Sequence, residues 1–314
     1  MKLQQLRYVC EVARRGLNVS SAAEALFTSQ PGVSKQIKSL EDELGVEIFV
    51  RHGKRIVALT EPGKSIVGIA ERMLAEAANL KRAGEEFVNE KLGKLTIATT
   101  HTQARYALPR AVAAFKRRYP QVQLFIHQGN PTQICDMVVA GEAELAIATE
   151  QIDVHPELVS LPCHQWNRCV VTPPKHPLLE VKPLSLEAIA RYPIVTYDFA
   201  FANRSLVQKA FEQRHLEPKV VLTALDADVI KTYVELGLGI GIMASMAFDP
   251  KRDTRLRAID ASHLFESSTT RLGIKRGAYL RRYAYDFIEL FAPQLPRAMV
   301  ERAVAGDEGS RYEL

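Results

Sequence analysis

The sequence predicts an α/β protein with an all-α winged helix-turn-helix domain at its N-terminus and a two-lobed α/β domain after it. Three observations support this fold class. Two short amphipathic helices flank a tight turn within residues 18–45, a basic hairpin follows at residues 46–60, and strands alternate with helices from residue 92. A chain of 314 residues is long enough for two or three such domains.

The first helix of the pair is predicted to begin at a cap formed by Ser20 and Ser21. Its apolar residues recur at helical spacing and predict a narrow face packed on a neighbouring helix: Ala22, Ala23, Leu26 and Phe27. The second helix is predicted to begin near Gln30, because Pro31 suits a first helical turn, where its missing N–H costs nothing.

The second helix separates its apolar side chains from its polar ones. The apolar face contains Val33, Ile37, Leu40 and Leu44. The residues left free for base edges and phosphates are the candidate DNA contacts, namely Ser29, Gln30, Pro31, Ser34, Lys35 and Lys38. This pattern is typical of a recognition helix, although the solvated face of an ordinary helical hairpin has the same pattern.

A basic hairpin is predicted directly after the recognition helix. Residues 46–60 alternate apolar and polar side chains around a His52-Gly53 turn, and no carboxylate lies between Ile48 and Thr60. The basic side chains near its tip are Arg51, His52, Lys54 and Arg55. A solvated loop is the alternative, but the position of the hairpin favours the wing of a winged helix-turn-helix, which binds phosphate or the minor groove.

Charge and cysteine content narrow the possible functions. The net charge of +5 permits a nucleic-acid partner without requiring one. The first sixteen residues are charged throughout and lack a long apolar run, so we expect a helix in the cytoplasm and no membrane partner. The cysteines, Cys10, Cys135, Cys163 and Cys169, show no zinc-site spacing, so we expect reduced thiols, with a Cys163–Cys169 redox pair as the alternative.

The predicted domains have the following boundaries. They are a winged helix-turn-helix domain at 1–60, a linker helix at 61–91, an effector-binding domain at 92–292 and a C-terminal tail at 293–314. Within the third, lobe I comprises 92–160 plus 268–292, and lobe II comprises 161–267. The linker helix has a long apolar stripe, which predicts pairing with a second copy rather than packing on its own small domain.

A ligand site is predicted where the first strand of lobe I ends. The segment TTHTQARY places the hydroxyls of Thr100 and Thr102 beside unpaired N–H groups at a helix start, which suits a small anion or a carboxylate. Helix capping alone would need one threonine. Thr149 ends another strand of the same lobe, and Trp166 and Tyr197 are aromatic candidates that could equally lie in the core.

The sequence argues against an enzyme. An active site would have to combine His101 with a threonine or with Cys135 as the nucleophile. No triad order, nucleophile-elbow motif, metal cluster or phosphate loop supports such a site. We therefore expect neither catalytic residues nor a metal or other cofactor.

The motifs resemble one known family over almost the whole chain. SQPGVSKQIKSLEDELG, the RHGK wing and LTEPG resemble the LysR-type transcriptional regulators, and the remainder resembles that family's two-lobed, periplasmic-binding-protein-like sensor domain. LTIATTHTQARY, ELAIATE and DADVIKTYVELGLGIGIMASMA resemble the CysB group, which controls sulfur assimilation, and its relatives that govern alkanesulfonate use.

The resemblance implies a function and a pocket. It implies activation of cysteine-biosynthesis genes, with O-acetylserine, N-acetylserine or a sulfate-like anion as effector. The matching pocket positions are Thr100, Thr102, Gln103, Thr149 and Trp166, together with Ala202 and Asn203. The group usually has a threonine after Phe201, so Ala202 removes one hydroxyl, which Asn203 could replace.

The resemblance also implies partners and leaves one alternative. The implied partners are promoter DNA, RNA polymerase and further copies of the chain in a dimer of dimers. A regulator of sulfonate or other organosulfur use, sensing an intermediate of sulfate assimilation, is the alternative. A solute-binding protein without DNA binding would lack salt-sensitive association with a promoter.

Overall fold

The computed structural model describes residues 1–53, 55–88, 92–149, 151–198 and 206–306, with backbone alone for 85–88. Three residues with predicted roles, Lys54, Ala202 and Asn203, lie outside these ranges. The chain forms two compact units, Met1–Val88 and Asn89–Leu314. Among the described residues, no helix has the length and apolar character needed to cross a membrane.

The first unit is mainly helical. Its elements are α1 (Leu3–Arg14), α2 (Val19–Ala25), α3 (Gln30–Leu44), β1 (Phe49–His52), β2 (Arg55–Leu59) and α4 (Glu61–Val88). Local signals set the ends of α3: Ser29 Oγ accepts a hydrogen bond from Gly32 N at 3.3 Å, and Gly45 ends the helix at a left-handed φ of 69°. The helices share one apolar core that includes Val9, Val12, Val33, Ile37 and Leu40.

Two details of α2 differ from the sequence prediction. Its cap is Asn18, whose Oδ1 accepts from Ser21 N at 3.0 Å, whereas Ser20 and Ser21 lie inside the helix. Ala22 and Ala23 are buried as expected, but Phe27 is 98% exposed. The helix ends at Ala25 and Phe27 adopts a left-handed φ of 50°, which turns its side chain away from the core.

The apolar stripe of α4 is only partly covered by its own unit. Ala70 belongs to the core of that unit, and Ile66, Val67 and Leu74 pack against it. Ile69 and Leu80 are 48% and 77% exposed. The helix therefore contributes to the core of the first unit and still presents apolar side chains on its surface.

The second unit contains two five-stranded sheets. Lobe I has the order β4-β3-β5-β12-β6, and lobe II has the order β11-β7-β10-β8-β9. The lobe I strands are β3 (Gly93–Thr99), β4 (Val122–Gln128), β5 (Leu145–Ala148), β6 (Leu158–Trp166) and β12 (Ser268–Lys275). The lobe II strands are β7 (Arg168–Thr172), β8 (Ile194–Tyr197), β9 (Val220–Ala224), β10 (Ile240–Ala244) and β11 (Arg257–Asp260).

Three parallel strands form one side of each five-stranded sheet, and the α/β pattern predicted such parallel strands. In lobe I, β3 runs parallel to β4 and β5, and in lobe II, β8 runs parallel to β9 and β10. The lobe I helices are α5 (Leu108–Arg118), α6 (Pro131–Val139), α10 (Arg282–Phe291) and α11 (Arg297–Ala305). Those of lobe II are α7 (Leu186–Ile189), α8 (Leu206–Gln213) and α9 (Ala227–Glu235).

Two predicted boundaries require correction. Strand β6 pairs with β12 in the lobe I sheet, so residues 161–166 belong to lobe I and not to lobe II. Residues 297–305 are not a tail, because Val300, Ala303 and Val304 on α11 lie in the lobe I core. Both differences arise from long-range packing, which local sequence periodicity does not reveal.

Candidate nucleic-acid interface and ligand cleft

The predicted DNA-contacting residues of α3 lie together on the surface of the first unit. Gln30, Pro31, Lys35 and Lys38 are exposed and Ser34 is half-buried. Val33 and Ile37 are fully buried and attach this helix to its core. The Ser29 hydroxyl already caps the helix, so its local role is structural. The exposed set supplies amide, hydroxyl and ammonium groups, which suit base edges and phosphates.

The hairpin has the predicted antiparallel pairing of β1 with β2, but Arg51 has a partner within the protein. Its Nη2 lies 2.8 Å from Glu41 Oε2, and the Glu41 carboxylate is nearly buried. Glu41 Oε1 also accepts from the backbone N–H groups of Ile48 and Phe49 at 2.9 and 3.2 Å. Arg51 thus helps to hold the hairpin against α3, whereas His52 and Arg55 are exposed.

A cleft of about 880 Å³ lies at the carboxyl ends of strands from both lobes. All five predicted pocket residues that the structure describes line it: Thr100, Thr102, Gln103, Thr149 and Trp166. Thr196 and Tyr197, at the end of β8, line it from lobe II. The fold therefore brings together residues that the sequence separates by almost one hundred positions.

The segment that follows β3 has an unusual helical geometry. Helical structure begins at residue 101, and residues 103–107 form a π-helical turn before α5. The next turn contains Pro109, which lacks the N–H that would continue the regular hydrogen-bond pattern. π-Helical turns often occur at functional sites. The Thr102 hydroxyl makes no capping hydrogen bond and instead hydrogen-bonds to Tyr197 in the cleft.

Tyr197 is the main aromatic contribution of lobe II to the cleft. Its hydroxyl accepts a hydrogen bond from Ala244 N at 3.2 Å. Burial raises the pKa of Tyr197 to about 12, although hydrogen bonds from Ala244 and Thr102 act in the opposite direction. The phenol therefore stays neutral at ordinary pH and serves as a hydrogen-bonding group.

A polar network that the sequence did not reveal joins the two lobes beside the cleft. Tyr106, on the π-helical turn, donates to Asp228 Oδ1 at 2.7 Å and accepts from Lys231 Nζ at 2.9 Å. Lys231 also lies 3.1 Å from an oxygen of Asp253, and Arg105 Nε lies 2.8 Å from Asp228 Oδ2. Because Arg105 and Tyr106 come a few residues after Thr100 and Thr102, which line the cleft, one short segment contributes both to the cleft and to the contact between the lobes.

The network shifts the pKa values of its members. Burial raises the pKa of Asp228, but hydrogen bonds from Tyr106 and Lys231 outweigh that effect, so its pKa lies below the ordinary range. Burial lowers the pKa of Lys231, but hydrogen bonds to Tyr106 and Asp253 outweigh it and raise the pKa above the ordinary range. Both groups are therefore charged at neutral pH.

One group of side chains near the cleft could hold a metal ion. His101, Asp226 and Asp228 offer ligand atoms within 4.8 Å of one another. Arg105 and Lys231 already neutralise Asp228, however, and their charges would repel a cation. This set therefore has the residue types of a metal site with an electrostatic environment that opposes one.

The cysteines are poor nucleophiles in this fold. All four are buried free thiols. Burial raises the pKa of Cys135 to about 11 and the pKa values of Cys163 and Cys169 to about 12. A thiolate is the reactive form of cysteine, so these environments oppose the catalytic use of Cys135 that the sequence left open.

Family models match both units. Residues 3–64 match the bacterial regulatory helix-turn-helix protein model of the lysR family, and residues 89–296 match the LysR substrate binding domain. The chain belongs to the LysR family. The predictions of a helix-turn-helix domain followed by an α/β ligand-binding domain, and of a DNA-binding transcriptional regulator rather than an enzyme, are thereby confirmed.

This LysR-family regulator is similar to relatives with assigned names and to solved structures. It is 56% identical to the HTH-type transcriptional regulator CysB of Burkholderia cenocepacia over 314 residues, which is 100% of both chains. It is 55% identical to SsuR of the same organism over 300 residues, 96% of this chain and 97% of SsuR. The crystal structure of the Cbl cofactor-binding domain is 42% identical, with a TM-score of 0.67, and covers 69% of this chain and 96% of its own.

Proposed function

We propose that this regulator controls genes of sulfur assimilation and cysteine biosynthesis in the cytoplasm, in response to a small effector bound in the cleft. One observation carries the proposal. The five described pocket positions that match the CysB group converge on one cleft although they come from three separate segments. Identities of 45–56% to relatives named CysB, SsuR and Cbl support the sulfur assignment.

The effector fits the cleft as a molecule with an acidic end, for which O-acetylserine, N-acetylserine and a sulfate-like anion are the candidates. Thr100 and Thr102 offer hydroxyls next to backbone N–H groups at a helix start, where negative charge is favoured. Thr149 approaches from the end of β5, and the Gln103 and Trp166 side chains complete this part of the wall. In the proposal, Asn203 replaces the hydroxyl that Ala202 removes.

The DNA side of the proposal assigns separate roles to the two parts of the first unit. Gln30, Ser34 and Lys35 read or flank bases in the major groove, because they lie at the exposed start of α3. Lys38 on the helix, with His52, Lys54 and Arg55 on the hairpin, neutralises phosphates. Two copies pair through α4, and two such dimers bind one promoter. RNA polymerase is the protein partner at that promoter.

Calorimetry on Thr100→Val tests the effector site, because this substitution keeps the shape of the side chain and removes its hydroxyl. An unpaired buried partner should weaken effector binding by about 1–3 kcal/mol. Titrations with O-acetylserine, N-acetylserine and sulfate would measure the loss, with the exposed Thr254→Val as the matched control. Equal affinities in wild type and Thr100→Val would place the effector elsewhere.

A regulator of sulfonate or other organosulfur genes is the second candidate. SsuR is almost as similar to this chain as CysB, at 55% against 56% identity. Footprinting on cysteine promoters and sulfonate promoters, each with and without acetylserine, separates the two functions. Effector-dependent protection of the cysteine promoters supports the main proposal, whereas protection confined to the sulfonate promoters supports the second.

A further inference from the structure

Three polar atoms in the wall of the cleft are buried without a hydrogen-bond partner in the described part of the chain. They are Trp166 Nε1, Ser268 Oγ and Gln103 Oε1. Ser268 is 4% exposed and Gln103 is 1% exposed. Folded proteins pair almost all such groups, so three orphans on one wall indicate positions that a ligand completes.

The three orphan atoms lie along one face of two paired strands. Ser268 and Trp166 are direct partners in the antiparallel register of β12 and β6, so their side chains share a face. Thr270 lies two residues farther along the same face of β12, and its Oγ1 accepts a hydrogen bond from Gln103 Nε2 at 2.9 Å. That bond leaves Gln103 Oε1 as an acceptor. The wall thus offers the Trp166 donor, the Ser268 hydroxyl and the Gln103 acceptor in one row.

A buried positive charge lies next to this row. Arg168 is 6% exposed, and its guanidinium carbon lies 5.1 Å from the centre of the Trp166 ring. Its Nη1 donates to the carbonyl of Glu266 at 3.2 Å, which holds it at this wall. A cation beside an N–H donor and an O–H donor favours ligand oxygens that accept hydrogen bonds.

We propose that Trp166, Ser268 and Arg168 form a second subsite, which binds the acetyl carbonyl oxygen of the effector, while Gln103 Oε1 accepts a hydrogen bond from an N–H or O–H of the same molecule. The inference rests on the proposed function, because it assumes that the effector occupies this cleft. The acidic end of the effector stays at Thr100, so the molecule contacts both parts of the cleft. A bare sulfate ion has no donor for Gln103 and occupies the Thr100 end alone.

Ser268→Ala tests the subsite because it removes one buried hydroxyl and little volume. In calorimetric titrations of the full-length protein, we expect O-acetylserine and N-acetylserine to bind about tenfold more weakly, the loss typical of one buried hydrogen bond. Sulfate affinity should change less than twofold. The matched control is Ser245→Ala, which removes an exposed hydroxyl outside the lining of the cleft and should change each affinity less than twofold.

A second variant, Trp166→Phe, and the titrations of Thr100→Val distinguish failure of the second subsite from failure of the proposed function. Trp166→Phe keeps a large ring and removes only the N–H, so it replaces Ser268→Ala if a thermal melt shows that the latter is unfolded. If Thr100→Val weakens acetylserine binding and neither Ser268→Ala nor Trp166→Phe does, the second subsite is wrong and the proposed function stands. If none of the three has an effect, the effector site itself is wrong. Sulfate binding lost in Ser268→Ala and retained in Thr100→Val would overturn the assignment of the two ends.

Discussion

The recognition surface and the ligand cleft of this regulator use polar groups in opposite ways. On α3 most of the side chains proposed to contact DNA are exposed, and the buried carboxylate beneath the hairpin, Glu41, is fully paired with Arg51 and two backbone N–H groups. In the cleft, polar atoms of Gln103 and Ser268 are buried and have no hydrogen-bond partner among the residues that the structure describes. A surface that binds a polyanion gains affinity from many solvated charges, whereas a cleft selects one small molecule by leaving particular hydrogen bonds unmade.

The largest expected effect concerns Lys231. This side chain is buried like the polar groups of the cleft, but its charge is fully paired, as is that of Glu41. Lys231→Met keeps the length of the side chain but leaves Asp228 and Asp253 without their shared cation. We expect a loss of about 3–5 kcal/mol in the free energy of unfolding, measured by urea denaturation. Lys209→Met removes an exposed partner of Glu266 and should cost less than about 1 kcal/mol. Similar losses in both variants would contradict the buried network.

The same network predicts a pH dependence. Since the pKa of Asp228 is lower in the folded protein, its contribution to stability is fully present above the ordinary value of 3.8 and is lost as the pH falls through the folded value. The free energy of unfolding, measured by urea denaturation at a series of acidic pH values, should therefore fall less below pH 3.8 in Lys231→Met than in wild type. Parallel acid profiles would show that Asp228 does not depend on Lys231.

Glu41 tests whether the recognition surface depends on a buried support. Glu41→Gln weakens the ion pair with Arg51 and the charge-assisted bonds to Ile48 N and Phe49 N, so it should destabilise the first unit by roughly 1.5–3 kcal/mol. DNA affinity should fall while the preference for operator over random DNA remains. Asp42→Asn, one residue away and exposed, is the matched control. Fluorescence anisotropy with operator DNA and with random DNA measures both the affinity and the preference. A loss of preference together with the loss of affinity would contradict a supporting role.

Gln30 tests base reading on the exposed surface itself. Gln30→Ala should reduce the discrimination between operator and random DNA by roughly 1–3 kcal/mol per lost base contact, with little change in stability. Lys38→Ala should instead weaken binding to both DNAs equally, because phosphates carry no sequence information directly. Competition binding assays measure both effects. Full discrimination in Gln30→Ala would remove Gln30 from the base-reading set.

The smallest expected effect belongs to the hairpin. Arg55 is exposed, so Arg55→Ala should remove about one phosphate contact and make the slope of log affinity against log salt shallower by about one unit. Arg51→Ala acts mainly through the loss of the Glu41 pair and should lower stability as well as affinity. An unchanged salt slope in Arg55→Ala would show that the tip of the hairpin does not touch DNA.

The sequence by itself determined the elements whose signals are local. Pro31 acts on backbone groups within one helical turn, so it correctly predicted that α3 begins near Gln30. The alternation of strands and helices predicted parallel strands in each lobe, and both sheets contain them beside antiparallel strands. Parallel strands end at a common edge. That geometric rule was enough to predict that Thr100 and Thr149 face one cleft.

Only the tertiary structure decided which distant segments meet. The pairing of β6 with β12 and the packing of α11 moved residues 161–166 and 297–305 into lobe I. Likewise, contacts such as Tyr106 with Asp228 and Gln103 with Thr270 join positions more than one hundred residues apart. Caps and periodicity record interactions between near neighbours in the chain, whereas these contacts depend on how completed sheets and helices pack.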